Sequence, residues 1–505
     1  MTGGRISRRA MLGGLLAGAA APAWGEALLR SPRPPERPLR GADGSTVTRS
    51  SLKVAARPAE ELIAEAKLGG AVCFAVADAK TGMVLETRGA DDPMPPASTL
   101  KALTSLYALE ALGDRHRFET RLIATGPVAG GIVQGDLVLA GGGDPTLTTD
   151  GLGDMAAALK ARGVTGVTGR FVVWGGALPY VRAIDPGQPD YLGYNPAVSG
   201  INLNFNRVNC EWRRAGEGYE IGMDARAERF VPRVDSARVT ISEREFPVFS
   251  YSEAEGAEYW SVARPALGKG GSRWLPVRHP EAYAGDVFRT LAEAQGIRLP
   301  KPEVARALPS GEVLVSTASE ELRPLLKAMM KHSTNLTAEA VGMAASGRLG
   351  TGGEHDASAR AMAGWLSARA GISAPDLADH SGLGAGSRIS AGQMVRAIQR
   401  LGPQAGLRGL MKPHVFKEQG GVAGAVPVLV EAKTGTLNFV SALAGFMTAP
   451  DGTELVFAIL TGDVARRDAV PVELREAPQG ARSWATRSRR LQQQLIERWG
   501  AVYGA

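Results

Sequence analysis

The sequence predicts an α/β architecture: an antiparallel sheet flanked by helices, interrupted by a large inserted domain of mixed, mostly β texture. Three observations carry this. Apolar, β-rich runs stand near both ends of the chain, AVCFAVAD (71–78) and SALAGFMTAPDGTELVFAILTGD (441–463). Helical periodicity dominates TLKALTSLYALEALG (99–113) and returns beyond residue 310. Between them, residues 121–299 alternate glycine-rich loops with short β-type segments and one helix, GLGDMAAALKARGV.

The elements follow in order. AVCFAVAD and GMVLETRG (82–89) read as a hairpin whose turn holds Lys80, Thr81 and Gly82. The Pro-rich loop DDPMPPAS leads into the helix that stops at Gly113. After the insertion, ASEELRPLLKAMMKHSTNLTAEAVGMAASGRLG reads as helix with an interruption near Ser333. SARAMAGWLSARAGI and SAGQMVRAIQRLG are further helices, two late strands surround a Pro-Asp-Gly turn, and an amphipathic helix ends the chain. The expected division is 45–120 with 300–505 as one domain and 121–299 as the insertion.

The first 25 residues have the form of a twin-arginine export signal: Arg8-Arg9, an apolar stretch from Met11 to about Ala21, then small residues around Ala23 and Gly25. The apolar stretch is too short to span a bilayer comfortably. Residues 26–44, containing RSPRPPERPLRG, read as a Pro/Arg-rich linker. The expectation is an exported, periplasmic protein with at most peripheral membrane contact. The net charge of +7 comes without a basic run interleaved with aromatics, which argues against nucleic acid. Cys73 and Cys210 are too few for a disulfide framework; one bridge between them stays open, and two unpaired buried thiols are the preferred reading. The six histidines form no His-Glu-x-x-His or close pair, so no metal site and no cofactor is expected.

Three short motifs carry chemistry. Ser-x-x-Lys at a helix start places an amine beside a hydroxyl, because positions i and i+3 share a face. It occurs as Ser50…Lys53, among polar residues after the linker, and as Ser98…Lys101, opening an apolar helix. Ser-x-Asn occurs once, as Ser333-Thr334-Asn335, between helical stretches. Its hydroxyl suits proton transfer to a leaving amine and its amide suits a substrate carbonyl. Lys-Thr-Gly on an edge strand offers a cation and a hydroxyl for a carboxylate, with a backbone N–H for an oxyanion. It occurs at Lys80 and at Lys433-Thr434-Gly435, where Thr436 continues a β-type run. Taken alone, each motif is equally a cap, a helix break or a turn. In the order Ser98, Ser333, Lys433 they form one constellation, and the Lys80 copy falls before the nucleophile.

Together with the blocks PASTLKALTSLYAL, GDLVLAGGGDPTL, MMKHSTNLTAEAV, DHSGLGAGSRIS and KTGTLNFVSALAGFMT, the motifs make the chain resemble the low-mass class C penicillin-binding proteins. These are serine D-Ala-D-Ala carboxypeptidases and endopeptidases. The resemblance implies the penicillin-binding/serine β-lactamase-like transpeptidase fold. It implies Ser98 as nucleophile, Lys101 as base, and Ser333 and Asn335 in proton transfer and substrate binding. Lys433, Thr434, Gly435 and Thr436 would bind the substrate carboxylate and, with the Ser98 and Thr436 N–H groups, the oxyanion. Peptidoglycan peptides and β-lactams are the implied partners. His332, Thr334 and the run LGAGSR depart from the group's usual pattern. A β-lactamase, an esterase or D-aminopeptidase at the same serine, and a non-catalytic muropeptide-binding protein are the alternatives. The glycine-rich AGGGDP and GLGAG read as turns, and Asp379-His380-Ser381 has an order that no known triad requires.

Overall fold

The computed structural model describes residues 56–416 and 428–504. The export signal, the linker and the Ser50…Lys53 pair lie outside the described residues.

The central sheet has six strands: β1 (Ala71–Asp78), β2 (Val84–Arg88), β3 (Lys412–Pro413), β4 (Leu429–Leu437), β5 (Val440–Thr448) and β6 (Glu454–Gly462). Their order is β3-β4-β5-β6-β1-β2, and each neighbouring pair is antiparallel. The early hairpin and the late strands therefore share one sheet, as the sequence predicts. β5 and β6 are buried along nearly their whole length, so both faces are covered.

The two faces differ in side-chain size, because alternate residues point to opposite sides. One face presents Cys73, Ala75, Ala77, Ala442, Ala444 and Ala458, which lets helices α2 (Leu100–Leu112) and α6 (Ala391–Ala405) approach closely. The other presents Phe74, Leu443, Phe457 and Ile459 to α7 (Ala481–Tyr503) and α1 (Ala59–Ala66). Trp499 of α7 meets Phe74 at 5.5 Å and Phe457 at 6.0 Å between ring centres. Residues 100–109 of α2 are all buried, including Lys101, Thr104 and Ser105, which makes α2 the central helix. It stops at Gly113, whose positive φ and N–H bond to Leu109 O close the last turn.

The helical return is built from α3 (Leu322–His332), α4 (Asn335–Arg348) and α5 (His355–Ala370). The interruption is a single left-handed residue. Ser333 ends α3 at φ 60°, its N–H bonded to Met329 O at 2.7 Å, and α4 starts two residues later.

The inserted region holds one five-stranded sheet and three three-stranded sheets over a separate core. Its five-stranded sheet runs, in spatial order, through 302–304, 171–174, 137–141, 119–124 and 312–318. Two of these strands lie beyond residue 300, where the sequence reading placed the returning helical part. Glu312–Ala318 pairs antiparallel with Glu119–Ala124 as an edge strand with mostly exposed or half-exposed side chains, so it lacks the apolar alternation that marks a strand in sequence. A second helix, Pro280–Ala294, was also unanticipated; it buries Tyr283, Val287, Phe288 and Leu291 on one face. Cys73 and Cys210 are unpaired and buried in different cores. Among the described residues no helix is long and apolar enough to cross a membrane, and no His, Cys, Asp and Glu cluster could hold a metal ion.

Candidate active site

Ser98, Ser333 and Lys433 come from three separate stretches and meet at one edge of the sheet. Ser98 sits in a single 3₁₀ turn, Ala97–Thr99, immediately before α2. Ala97 ahead of it is held at φ 46°, a left-handed conformation that costs a non-glycine residue roughly 1–3 kcal/mol and is kept here by its surroundings. Those surroundings are two glycines. A Cβ on Gly382 would lie 1.9 Å from Ala97 O, and one on Gly435 would lie 2.9 Å from both Ala97 Cβ and Ser98 N. The sequence reading gave Gly435 to substrate approach; the nearer reason is that β4 passes directly against the nucleophile turn.

Lys101 lies one turn along α2, fully buried, with three partners. Its Nζ is 3.0 Å from Ser98 Oγ, 2.7 Å from Asn335 Oδ1 and 2.8 Å from the Ser381 carbonyl oxygen. Asn335 is fixed in that sense because its Nδ2 donates to Tyr194 O at 2.9 Å. A carbonyl and an amide oxygen can only accept. A neutral amine has two N–H groups and one lone pair, so two donated bonds leave the lone pair facing Ser98 Oγ. Burial pushes the Lys101 pKa down to about 8, against the pull of the Asp379 and Glu339 carboxylates.

Lys433 stands on β4 and donates to Ser333 Oγ at 2.9 Å and to Thr434 O at 2.8 Å. Burial, then repulsion from Lys101 and Lys412, lowers its pKa to about 7. Ser98, Ser333, Asn335 and Thr436 line one cavity of about 1280 Å³. Thr434 is half-buried on the strand behind it. The inserted region contributes Asp185, Gln188 and Tyr194 to the same cavity, and the Arg475 guanidinium, which also lines it, donates to Gly187 O.

The second Lys-Thr-Gly lies three strands away from β4, between β1 and β2. Asp78 Oδ1 accepts from the N–H groups of Lys80 and Thr81 and from the Thr81 hydroxyl, and Gly82 takes φ 74°. It is the hairpin turn the sequence predicts.

Sequence reasoning missed the polar group beneath Lys101. Asp379, His380 and Ser381 are wholly buried, and Glu339 lies buried beside them. Glu339 is four residues beyond Asn335 and shares its helix face, a signal that the motif search did not use. Tyr194 was also missed, because its backbone carbonyl, not its side chain, makes the contact with Asn335.

Comparison with known proteins places this geometry. Residues 56–478 match the model of the D-Ala-D-Ala carboxypeptidase 3 (S13) family. The chain is 29% identical to a D-alanyl-D-alanine carboxypeptidase of an Actinomadura species, over 84% of this chain and 86% of that one. It is 26% identical to the D-alanyl-D-alanine carboxypeptidase DacB of Haemophilus influenzae, over 72% and 79% respectively. The crystal structure of penicillin binding protein 4 (dacB) from Haemophilus influenzae shares the fold, with a TM-score of 0.67 and 22% identity over 87% of this chain and 98% of that one. That protein has also been solved complexed with a β-lactam. The chain thus belongs to the D-Ala-D-Ala carboxypeptidase 3 (S13) family and is a D-Ala-D-Ala carboxypeptidase.

Proposed function

We propose that the chain hydrolyses the terminal D-Ala-D-Ala bond of peptidoglycan peptides through an acyl-enzyme on Ser98. The observation that carries the assignment is the Lys101 amine, held by two acceptors with its third direction on Ser98 Oγ. Ser98 Oγ attacks the carbonyl carbon of the penultimate D-Ala, and Lys101 takes the hydroxyl proton. The Ser98 and Thr436 N–H groups receive the developing oxyanion. Lys433, Thr434 and Thr436 hold the terminal carboxylate, and Gly435 admits the close approach of β4. The C–N bond breaks, and the proton taken by Lys101 passes through Ser333, which is hydrogen-bonded to Lys433, to the departing amine, so that Lys101 is neutral again. Water then attacks the ester, giving its proton to Lys101, and Ser98 leaves with a proton restored.

The same steps cleave a D-configured cross-link, so endopeptidase activity belongs to the proposal. A β-lactam acylates Ser98 likewise, but its leaving group stays tethered in the acyl-enzyme. The twin-arginine pattern supports export to the periplasm, where these peptides lie. The reading is tested by D-alanine release from a peptide ending in D-Ala-D-Ala. Wild type releases D-alanine, Ser98→Ala releases none above background, and a peptide ending in L-Ala is not cut. Release by Ser98→Ala equal to wild type would remove Ser98 from the reaction.

A further inference from the structure

Lys101 is aimed by two acceptors, and only one, Asn335, belongs to the motifs. The other, Ser381 O, sits in a loop with a fixed anchor. Glu339 is fully buried and accepts three hydrogen bonds: Ser381 N–H on Oε1 at 2.9 Å, His380 N–H on Oε2 at 3.0 Å, and His355 Nε2 on Oε2 at 2.8 Å. Two successive backbone N–H groups are thus gripped by the two oxygens of one carboxylate. The carbonyl oxygen of the second residue, Ser381, is the one that accepts the hydrogen bond from Lys101 Nζ. Thr104 of α2 donates to His380 O, so the peptide is held on both sides. Asp379 secures the rest of the loop through Ser381 Oγ, Gly384 N–H and Ser387 Oγ.

We propose that Glu339, paired with His355, is a positioning residue for acylation: it fixes the His380–Ser381 peptide so that the Lys101 lone pair faces Ser98. The proposal rests on the reading of Ser98 and Lys101 given above. Its physical core is that a carboxylate presents only acceptors. An amide at the same place would turn an NH₂ group toward one of two backbone N–H donors, and one arm of the grip would open. The charge matters as well. Burial pushes the Glu339 pKa up, but the His355 hydrogen bond and charge outweigh it and hold the group ionised, at about 2. The charged and titratable groups that face Glu339 are Lys101 from α2, His355 from α5, and Asp379 and His380 from the loop. Burial keeps His380 neutral, with its pKa lowered to about 4, so its ring donates to or accepts from Ser358 without adding charge. Asp379 and Glu339 are the two carboxylates that hold the proton on Lys101, and Lys433 is the cation that opposes it.

Two effects follow from Glu339→Gln, and they run in different directions. The acylation rate falls because the carbonyl that aims Lys101 loosens. The pH at which Lys101 loses its proton falls too, because one of its two carboxylates is gone. A residue that merely supports the fold would give the first effect without the second. The experiment is the pH dependence of the rate at which penicillin acylates full-length enzyme, with the acylated fraction read by intact mass. Glu339→Gln is expected to acylate about tenfold more slowly on its plateau. The midpoint of its rise should lie about half a pH unit or more below wild type. His355 is partly exposed, which provides variants that test the grip if Glu339→Gln does not fold. His355→Gln still donates to Glu339 and should acylate several-fold faster than His355→Phe, which cannot. An unmoved midpoint in Glu339→Gln, or equal rates for the two His355 variants, overturns the proposal. Absence of acylation in wild type would instead refute the reading of Ser98, so the two failures are separable.

Discussion

At the residue scale, the site is two buried lysines that cannot both hold a full charge cheaply. They repel each other, so their protons titrate as a pair. In the proposed mechanism acylation needs Lys101 neutral and Lys433 charged, a state that a carboxylate docking on Lys433 would favour. Lowering the pH protonates Lys101 and removes the base. The acylation rate is therefore expected to rise with pH through a midpoint near the Lys101 value of about 8 and to level off above it. A rate that is flat from pH 6 to pH 9 would contradict Lys101 as base. The two Lys-Thr-Gly copies provide the matching control. Lys433→Ala should slow acylation by about 10²-fold or more, whereas Lys80→Ala, in an exposed turn three strands away, should stay within about twofold of wild type. Equal losses in the two variants would undo the assignment. Most of this was legible because motif chemistry survives in short stretches. The Glu339 grip was not: its partners are the backbone of residues 380–381 and a histidine on another helix, and no local pattern announces such contacts.

At the element scale, the nucleophile turn is shaped by neighbours as much as by its own residues. Ser98 reads in sequence as an N-cap, yet no side-chain cap bond forms; the turn before α2 is 3₁₀ and Ala97 is left-handed. What holds it is the packing of β4 and the 379–387 loop on either side, through Gly435 and Gly382. Gly435→Ala would place a methyl 2.9 Å from Ser98 N, among backbone atoms that cannot swing aside. The variant is expected to lose about 10²-fold in acylation while unfolding within roughly 1–3 kcal/mol of wild type by denaturant titration. Wild-type rates in Gly435→Ala would show that β4 does not press on the turn. The central helix and the strands at 71–88 and 433–462 were legible because their apolar periods are long and regular. The edge strand Glu312–Ala318 was not, since its apolar run Val313-Leu314-Val315 is short and only its pairing with Glu119–Ala124 makes it a strand.

At the scale of the whole molecule, residues 98, 333 and 433 are brought together although the inserted region separates the first two. The sheet order explains how. β4 lies beside β5 and next to the short β3, with Thr436 lining the groove. The small-residue face of the sheet lets α2 settle against it and places Ser98 at the same edge. The inserted region is more than a spacer, because Tyr194 O fixes Asn335 and Asp185 and Gln188 wall the cavity. Its contact with the site could not be read from sequence, where it appears only as glycine-rich loops between short strands. The convergence of the three segments on one nucleophile is tested most directly by peptide mapping after incubation with penicillin. The expected result is a single stable adduct on the peptide containing Ser98, absent in Ser98→Ala. An adduct on any other serine, or none in the wild-type protein, would contradict it.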